Sequence, residues 1–349
     1  MSTPRISLAE PPRPPTYHAA VALVWRPLDP ARGVQELVHA ATLAANSHNT
    51  QPWRFSLTSS RIVIRPDPSR RCPAVDPDDH HLFASLGCAA ENVIQAAGLL
   101  GFKAAPTFDA AAGAIVIDIE RAKPANDGPG QAITKRQCTR AVYDGRPVNS
   151  EDLRSIESAG TVENVECLIL TEKPRLEAIL EYVAQGNTVQ MRDPAFTSEL
   201  LSWIRFNDAM AIESMDGLSA RSSCNPRLPA WIGRRLLPFV LTEQGENEKY
   251  AKHIRSSAGL AVFFAPSNDA AGWVAAGRAY QRFALQATLL GIRQAFLNQP
   301  TEVTSLRPQL SAYLGRGNKR PNLLVRFGRG PSLPPSLRRP ESAVIVQEP

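Results

Sequence analysis

Shifted along itself by 190 positions, this chain lays Gly87–Ala105 over Gly277–Ala295, and no other feature constrains its fold as tightly. Identities fall at Gly87/Gly277, Ala89/Ala279, Ala97/Ala287, Leu99/Leu289, Leu100/Leu290, Gly101/Gly291 and Ala105/Ala295. Each segment carries one apolar helical face, Ala89, Val93, Ala97 and Leu100 in one and Ala279, Phe283, Ala287 and Leu290 in the other. Gly101 and Gly291 stand where a helix ends in the left-handed conformation that glycine takes without strain. A strand-like run follows each helix, Ala114–Ile119 and Leu323–Phe327. Upstream, a helix-then-strand unit precedes each, Val34–Ala45 with Arg61–Arg65 and Glu151–Ala159 with Glu166–Leu170. The order of elements predicts two α+β copies in tandem, since a repeated unit buries its apolar face against its neighbour.

Proline punctuates this plan. Pro4, Pro11, Pro12, Pro14 and Pro15 open the chain, and Pro331, Pro334, Pro335 and Pro340 lie near its close, so both ends are expected as extended arms. The cluster 123–130 (KPANDGPG) predicts a break in regular structure. The expected division is an N-terminal arm over 1–30, a first half over 31–125 and a second half over 131–349.

Charge and cysteine content exclude several classes. The net charge of +6 comes from 39 basic and 33 acidic residues, dispersed without a Lys/Arg block, so no nucleic-acid partner is expected. Cys72, Cys88, Cys138, Cys167 and Cys224 are odd in number and form no C-x-x-C, which fits a reducing cytoplasm better than a disulfide framework. No window reaches eighteen uncharged apolar residues and the N-terminus lacks an export pattern, so neither a membrane partner nor secretion is expected. Asp76 to His81 (DPDDHH) reads as a solvated acidic loop, and no metal is expected.

The two copies carry different polar motifs. The first holds Asn46-Ser-His-Asn-Thr-Gln-Pro-Trp-Arg-Phe55 between its opening helix and first strand. Carboxamides such as Asn49 and Gln51 pair a donor with an acceptor, which suits the edge of a heteroaromatic ring; alternatively Asn46 or Ser47 caps a helix and Trp53 packs in the core. The second copy opens on Arg136-Gln-Cys-Thr-Arg140. A helix there would put both arginines on one face, as a phosphate clamp or as a solvated surface.

Ser47-x-Asn49-x-Gln51-Pro52-Trp53, the paired arginines and a late Arg-Pro together resemble the nitroreductase-like flavin oxidoreductases. The wording SHNTQPWRF, the double length and Asn298-Gln-Pro-Thr-Glu302 look more closely like the Acg-type branch. The resemblance implies a fold of two tandem nitroreductase-like α+β halves forming an intrachain pseudo-dimer. It implies FMN bound between the halves, with Arg136, Cys138 and Arg140 at the phosphate side, joined by Arg338 or Arg339. Asn46, Ser47, Asn49 and Gln51 match the partner loop at the ring, and Gln299 to Glu302 lies near the reactive edge. Cys138 departs from the hydroxyl residue usual there. His48 within the motif is a candidate proton donor or, equally, a structural or substrate-gating residue.

A shift of 120 positions sets Arg136, Cys138 and Arg140 against Thr16, His18 and Ala20, and nothing like the ring loop follows Ala159. One clamp and one loop imply one FMN per chain. The implied activity is NAD(P)H-dependent, ping-pong two-electron reduction of nitroaromatic or quinone-like small-molecule acceptors. The alternative is an FMN-sequestering protein, with the segment of about 196–235, which has no first-copy counterpart, as its lid. A monomer is expected, with pairing of whole chains left open.

Overall fold

The structure, a computed structural model, describes residues 14–125, 128–162, 164–317 and 319–347. The proline-rich opening as far as residue 13, and Asn126 and Asp127 of the expected break, lie outside the described residues. In chain order the first half runs α1 (Tyr17–Val24), α2 (Val34–Thr42), β1 (Trp53–Leu57), β2 (Arg61–Pro66), α3 (His80–Leu99), β3 (Phe102–Asp109) and β4 (Ala114–Arg121). The second begins α4 (Ser150–Gly160), β5 (Glu166–Leu170), α5 (Lys173–Met191), α6 (Pro194–Trp203), β6 (Ile204–Arg205), α7 (Asp208–Ser214) and β7 (Leu218–Ser219). It ends α8 (Ala230–Val240), α9 (Glu243–Arg255), β8 (Gly259–Phe264), α10 (Ala270–Leu289), β9 (Arg293–Phe296), α11 (Gln299–Glu302), α12 (Arg307–Tyr313) and β10 (Pro321–Gly328).

Two four-stranded antiparallel sheets result, ordered β1-β2-β4-β3 and β5-β8-β10-β9. The orders are the same once β1 is matched with β5, β2 with β8, β3 with β9 and β4 with β10. That matching corrects the equivalence of Arg61–Arg65 with Glu166–Leu170: β2 corresponds to β8, an all-buried run that alternation does not reveal. Between β1 and β2 there is a tight turn at 58–60. Between β5 and β8 the chain makes the whole excursion α5 to α9, so the insertion is much longer than 196–235.

The long helices α3 and α10 pack against each other at their paired glycines. A Cβ on Gly87 would sit 2.1 Å from the carbonyl oxygen of Val274, and one on Gly277 1.9 Å from that of Ala84. Ala84 and Val274 are themselves 190 positions apart, so the contact is reciprocal. Only residues without a Cβ let the backbones approach this closely. Buried polar groups finish the interface: Gln281 Nε2 donates to Asn92 Oδ1 at 2.7 Å, and Arg278 Nε donates to Glu91 at 3.1 Å. Gly101 (φ 77°) and Gly291 (φ 69°) end the two helices in the left-handed region, as expected. Helix α3 is long and apolar enough by length and composition to cross a membrane, but 72% of that window is buried inside the molecule.

Two expectations of backbone conformation are overturned. The arm expected to be extended over 1–30 contains α1, whose N-cap Thr16 accepts from the Ala19 N–H at 3.1 Å. Arg136–Arg140 is not helical. Cys138 instead forms a parallel bridge with Gln294 at the edge of β9, so backbone pairing holds the segment. The closing segment does run extended, back across the first half, where Phe55 N–H donates to Val344 O at 2.8 Å and Val346 N–H to Phe55 O at 2.7 Å. The second half thus ends on the edge strand of the first.

Candidate functional site

Helix α2 ends beneath a group of arginines. The carbonyls of Thr42, Leu43 and Ala44 accept in turn from Arg338 Nε (2.8 Å), Arg136 Nη2 (2.9 Å) and Arg338 Nη2 (3.3 Å). A helix C-terminus carries partial negative charge and unsatisfied carbonyls, so it anchors cations well. It does not neutralise two of them. Arg136 is 2% exposed and Arg338 5%, and no carboxylate pairs with either among the described residues. Arg136 Nε has no hydrogen-bond partner among the described residues. Burial, reinforced by Arg136, pulls the Arg338 guanidinium down to about 9; it also lies over the Trp25 ring, 5.2 Å from the centroid.

These arginines face a cavity of about 50 Å³ that is also walled by Asn46, Asn49, Cys138 and Arg140, with no acidic residue in its lining among the described residues. Asn46, Arg140, Leu218 and Phe296 also line a neighbouring cavity of about 240 Å³, so the two adjoin. Ser47, His48, Gln299, Glu302 and residues of the insertion complete the larger one. Residues from both halves and from the closing segment therefore meet at one place. Of the two late arginines, Arg338 lines the small cavity; Arg339 does not, and its Nη2 donates to the Ala343 carbonyl at 2.6 Å.

The motif loop is tightly coiled, with positive φ at His48 (46°), Asn49 (54°) and Gln51 (55°). Such backbone costs about 1–2 kcal/mol per non-glycine residue and needs support. Its carboxamides supply it. Asn46 Oδ1 accepts from the Gln51 N–H (2.8 Å), and Asn46 Nδ2 donates to the Ala44 carbonyl (3.2 Å). Asn49 Nδ2 donates to the carbonyls of Gly217 (3.1 Å) and Leu337 (3.0 Å), while its Oδ1 accepts from Arg338 Nη1 (2.7 Å). Gln51 is wholly buried; its Nε2 donates to the Met215 carbonyl (2.9 Å) and its Oε1 accepts from the Arg339 N–H (2.8 Å). Asn49 and Gln51 thus hold the insertion and the closing segment onto the loop, where the sequence suggested a ring contact. Arg70, bonded to the Thr50 carbonyl and to Asp216, adds a buried ion pair to the same seam.

His48 lines the larger cavity, and burial with the nearby Arg140 charge pulls its imidazole down to about 4, so it is neutral near pH 7. As an acid it is therefore spent well below neutrality. The expected solvated loop at Asp76–His81 is a further correction: Asp76, His80 and His81 are all buried and close enough together to be considered as metal ligands. Asp76 and His80 Nε2 already have hydrogen-bond partners, while His80 Nδ1 and His81 Nε2 have none among the described residues. Both Asp76 oxygens accept N–H groups at the start of α3, from His81 (3.0 Å) and Leu82 (2.9 Å). Asn322 Oδ1 accepts from the Ala265 N–H, which turns its Nδ2 toward His80 Nε2 at 3.3 Å and leaves the proton on Nδ1. Sequence reasoning missed Gln190, His253 and Arg326 of the larger cavity, which lie in segments without motif wording.

No protein-family model matches the chain. In sequence it resembles the nitroreductase-like superfamily, and within it the Acg-type branch. "Putative NAD(P)H nitroreductase Rv3131" of Mycobacterium tuberculosis is 26% identical over 90% of this chain and 91% of the relative. "Putative NAD(P)H nitroreductase acg" of the same organism is 23% identical over 89% and 95%. Among solved structures, the FMN and NADPH-dependent nitroreductase NfnB from sphigopyxis sp. strain HMH is 15% identical over 64% of this chain and 100% of that one, with a TM-score of 0.41.

Proposed function

We propose that this chain is an FMN-dependent oxidoreductase of nitroreductase type, an intrachain pseudo-dimer holding one FMN and using NAD(P)H to reduce small nitroaromatic or quinone-like acceptors. The observation that carries this reading is the small cavity walled by Arg136, Arg140 and Arg338 without a carboxylate. Buried charge of one sign costs several kcal/mol per ion unless it is compensated. An FMN phosphate, with nearly two negative charges, would compensate it, and the orphaned Arg136 Nε is a donor left for it. Relatives called nitroreductases across nine-tenths of the chain support the same class. When bound, FMN supplies reversible two-electron hydride chemistry. Arg136 and Arg140 would hold the phosphate, Arg338 would add its field, and Ser47, His48 and Phe296 would border the ring's side of the site. The shared strand order and the reciprocal glycine contact support the pseudo-dimer. Flavin release and absorbance quantification test it: one FMN per chain is expected, and two would overturn the single composite site.

A second reading, flavin sequestration, is favoured by one observation. The 215–217 turn of the insertion is pinned to Asn49, Gln51 and Arg70, beside both cavities. A cover held this way would exclude acceptors. Anaerobic NADPH addition separates the readings, with bleaching of the flavin band expected for the oxidoreductase and an unchanged oxidised spectrum for sequestration.

A further inference from the structure

The larger cavity contains an acid that the phosphate cage does not use. Glu302 closes α11, and only 14% of its side chain is exposed. Its Oε2 accepts from Gln190 Nε2 at 2.6 Å, and its Oε1 lies 3.5 Å from His81 Nε2, a nitrogen with no hydrogen-bond partner. The charged and titratable groups around it come from several elements: Asp76 before α3, His81 on α3, Glu199 on α6, Tyr250 on α9 and Arg307 on α12. Burial raises the Glu302 carboxyl to about 7, with Asp76 and Glu199 pushing the same way and Gln190 and Arg307 opposing. His81, held down to about 3 by burial and by Arg320 and Arg307, is a neutral imidazole and does not take the Glu302 proton permanently. A carboxyl group is thus kept partly protonated at neutral pH beside a cavity wide enough for a small ring, where His48 is already deprotonated.

We propose, on the oxidoreductase reading above, that Glu302 is the proton donor to the acceptor reduced in the larger cavity, with Gln190 positioning its carboxyl group. A quinone-type acceptor that receives a hydride, two electrons and one proton, becomes an anion with one oxygen still unprotonated. The O–H bond of Glu302 breaks, a new O–H bond forms on that oxygen, and the carboxylate left behind regains a proton from water. The hydride comes from NAD(P)H by way of the bound flavin, so atoms and electrons balance without a further reagent.

Two measurements test this on the full chain. In infrared titration across neutrality, the protonated-carboxyl band that disappears with a midpoint near 7 is expected to be absent in Glu302→Gln. In stopped-flow experiments with p-benzoquinone, Glu302→Gln is expected to slow reoxidation by about a hundredfold, the lower end of general-acid contributions, and to flatten its pH dependence. Reduction by NADPH should be slowed much less than reoxidation, since that half-reaction takes no proton from the acid. Gln190→Met provides a second variant. Loss of a donor to the carboxylate raises the Glu302 pKa, so the fall in reoxidation rate should move to higher pH. If the flavin is bound and reduced but both variants keep the wild-type reoxidation profile, the donor role is overturned and the oxidoreductase reading stands. A wild-type chain that binds no FMN, or is not reduced by NADPH, overturns that reading and this inference with it.

Discussion

The two halves share a strand order and a glycine-marked helix, yet they differ most where the first and second strands of each sheet connect. The first half crosses from β1 to β2 in a tight turn; the second inserts α5 to α9 at the same topological point. The first keeps the polar motif after its opening helix, and the second keeps the arginine segment before its own. A shared architecture therefore accounts for the core alone. The chemistry lies in what each copy carries that the other does not, and the closing segment, returning from β10 to the edge of β1, brings Arg338 to the C-terminus of α2.

The sharpest break in the comparison is expected at Arg136. Its removal leaves a bound phosphate under-compensated, at a cost on the order of 2–5 kcal/mol, or roughly thirty- to several-thousand-fold in FMN affinity. Arg136→Ala should purify nearly free of flavin with unchanged circular dichroism, whereas Thr16→Ala, at the position matched by the 120-residue shift, should keep its flavin. A folded Arg136→Ala with full flavin would remove the clamp from the second half.

The shared feature is tested next. Gly277→Ala forces a Cβ against the Ala84 carbonyl and should cost about 3 kcal/mol in urea denaturation, the upper range of overpacking. Gly98→Ala, with nothing within 4 Å of the added Cβ, should be neutral or stabilising by up to about 1 kcal/mol through helix propensity. Equal effects would deny the interhelical role of the paired glycines.

Acid should separate the halves. Burial lowers His39 and His48 to about 4 and His81 to about 3 from 6.5, so below 6.5 the unfolded chain binds more protons than the folded one. Stability from this source is complete above pH 6.5 and is lost as pH falls toward 4. Asp76, raised to about 6, works the other way, since its protonation favours the folded chain. In the second half His253, lowered to about 3, adds to the loss, while Glu302, raised to about 7, opposes it. Net loss on the order of 4 kcal/mol is expected by pH 5, with hydrogen exchange rising first around α2 and the motif loop. Exchange that rises first in the second half would contradict this.

The smallest effect concerns the seam. Gln51→Ala strands the Met215 carbonyl and the Arg339 N–H, costing about 1–2 kcal/mol. Faster amide exchange at 204–219 and faster flavin release are expected, with the remainder of the exchange map unchanged. A uniform change would make Gln51 a general core residue instead of a fastening for the insertion.

Much of the core was legible beforehand. The segments α2, α3, α4, α10, β2, β4, β5 and β10 follow from periodicity, and the left-handed glycines from their place after each apolar run. Of the expected site residues, Asn46, Ser47, His48, Asn49, Arg136, Cys138, Arg140, Gln299 and Arg338 line one or both of the adjoining cavities, while Gln51 and Arg339 line neither. The conformation of 136–140 was not legible, because its backbone is held by pairing to Gln294, more than 150 residues away in sequence.

Local spacing alone determined that there are two copies, that each long helix ends at a glycine, and that their polar motifs differ. Those properties depend on neighbours within one or two helical turns. Tertiary structure alone decided that Arg338 faces the cavity and Arg339 the Ala343 carbonyl, that the motif carboxamides hold the insertion, and that Asp76, His80 and His81 are buried. Each of those outcomes depends on which distant backbone groups remain unpaired when the halves close, because a buried amide, guanidinium or imidazole takes whatever partner is then within about 3 Å.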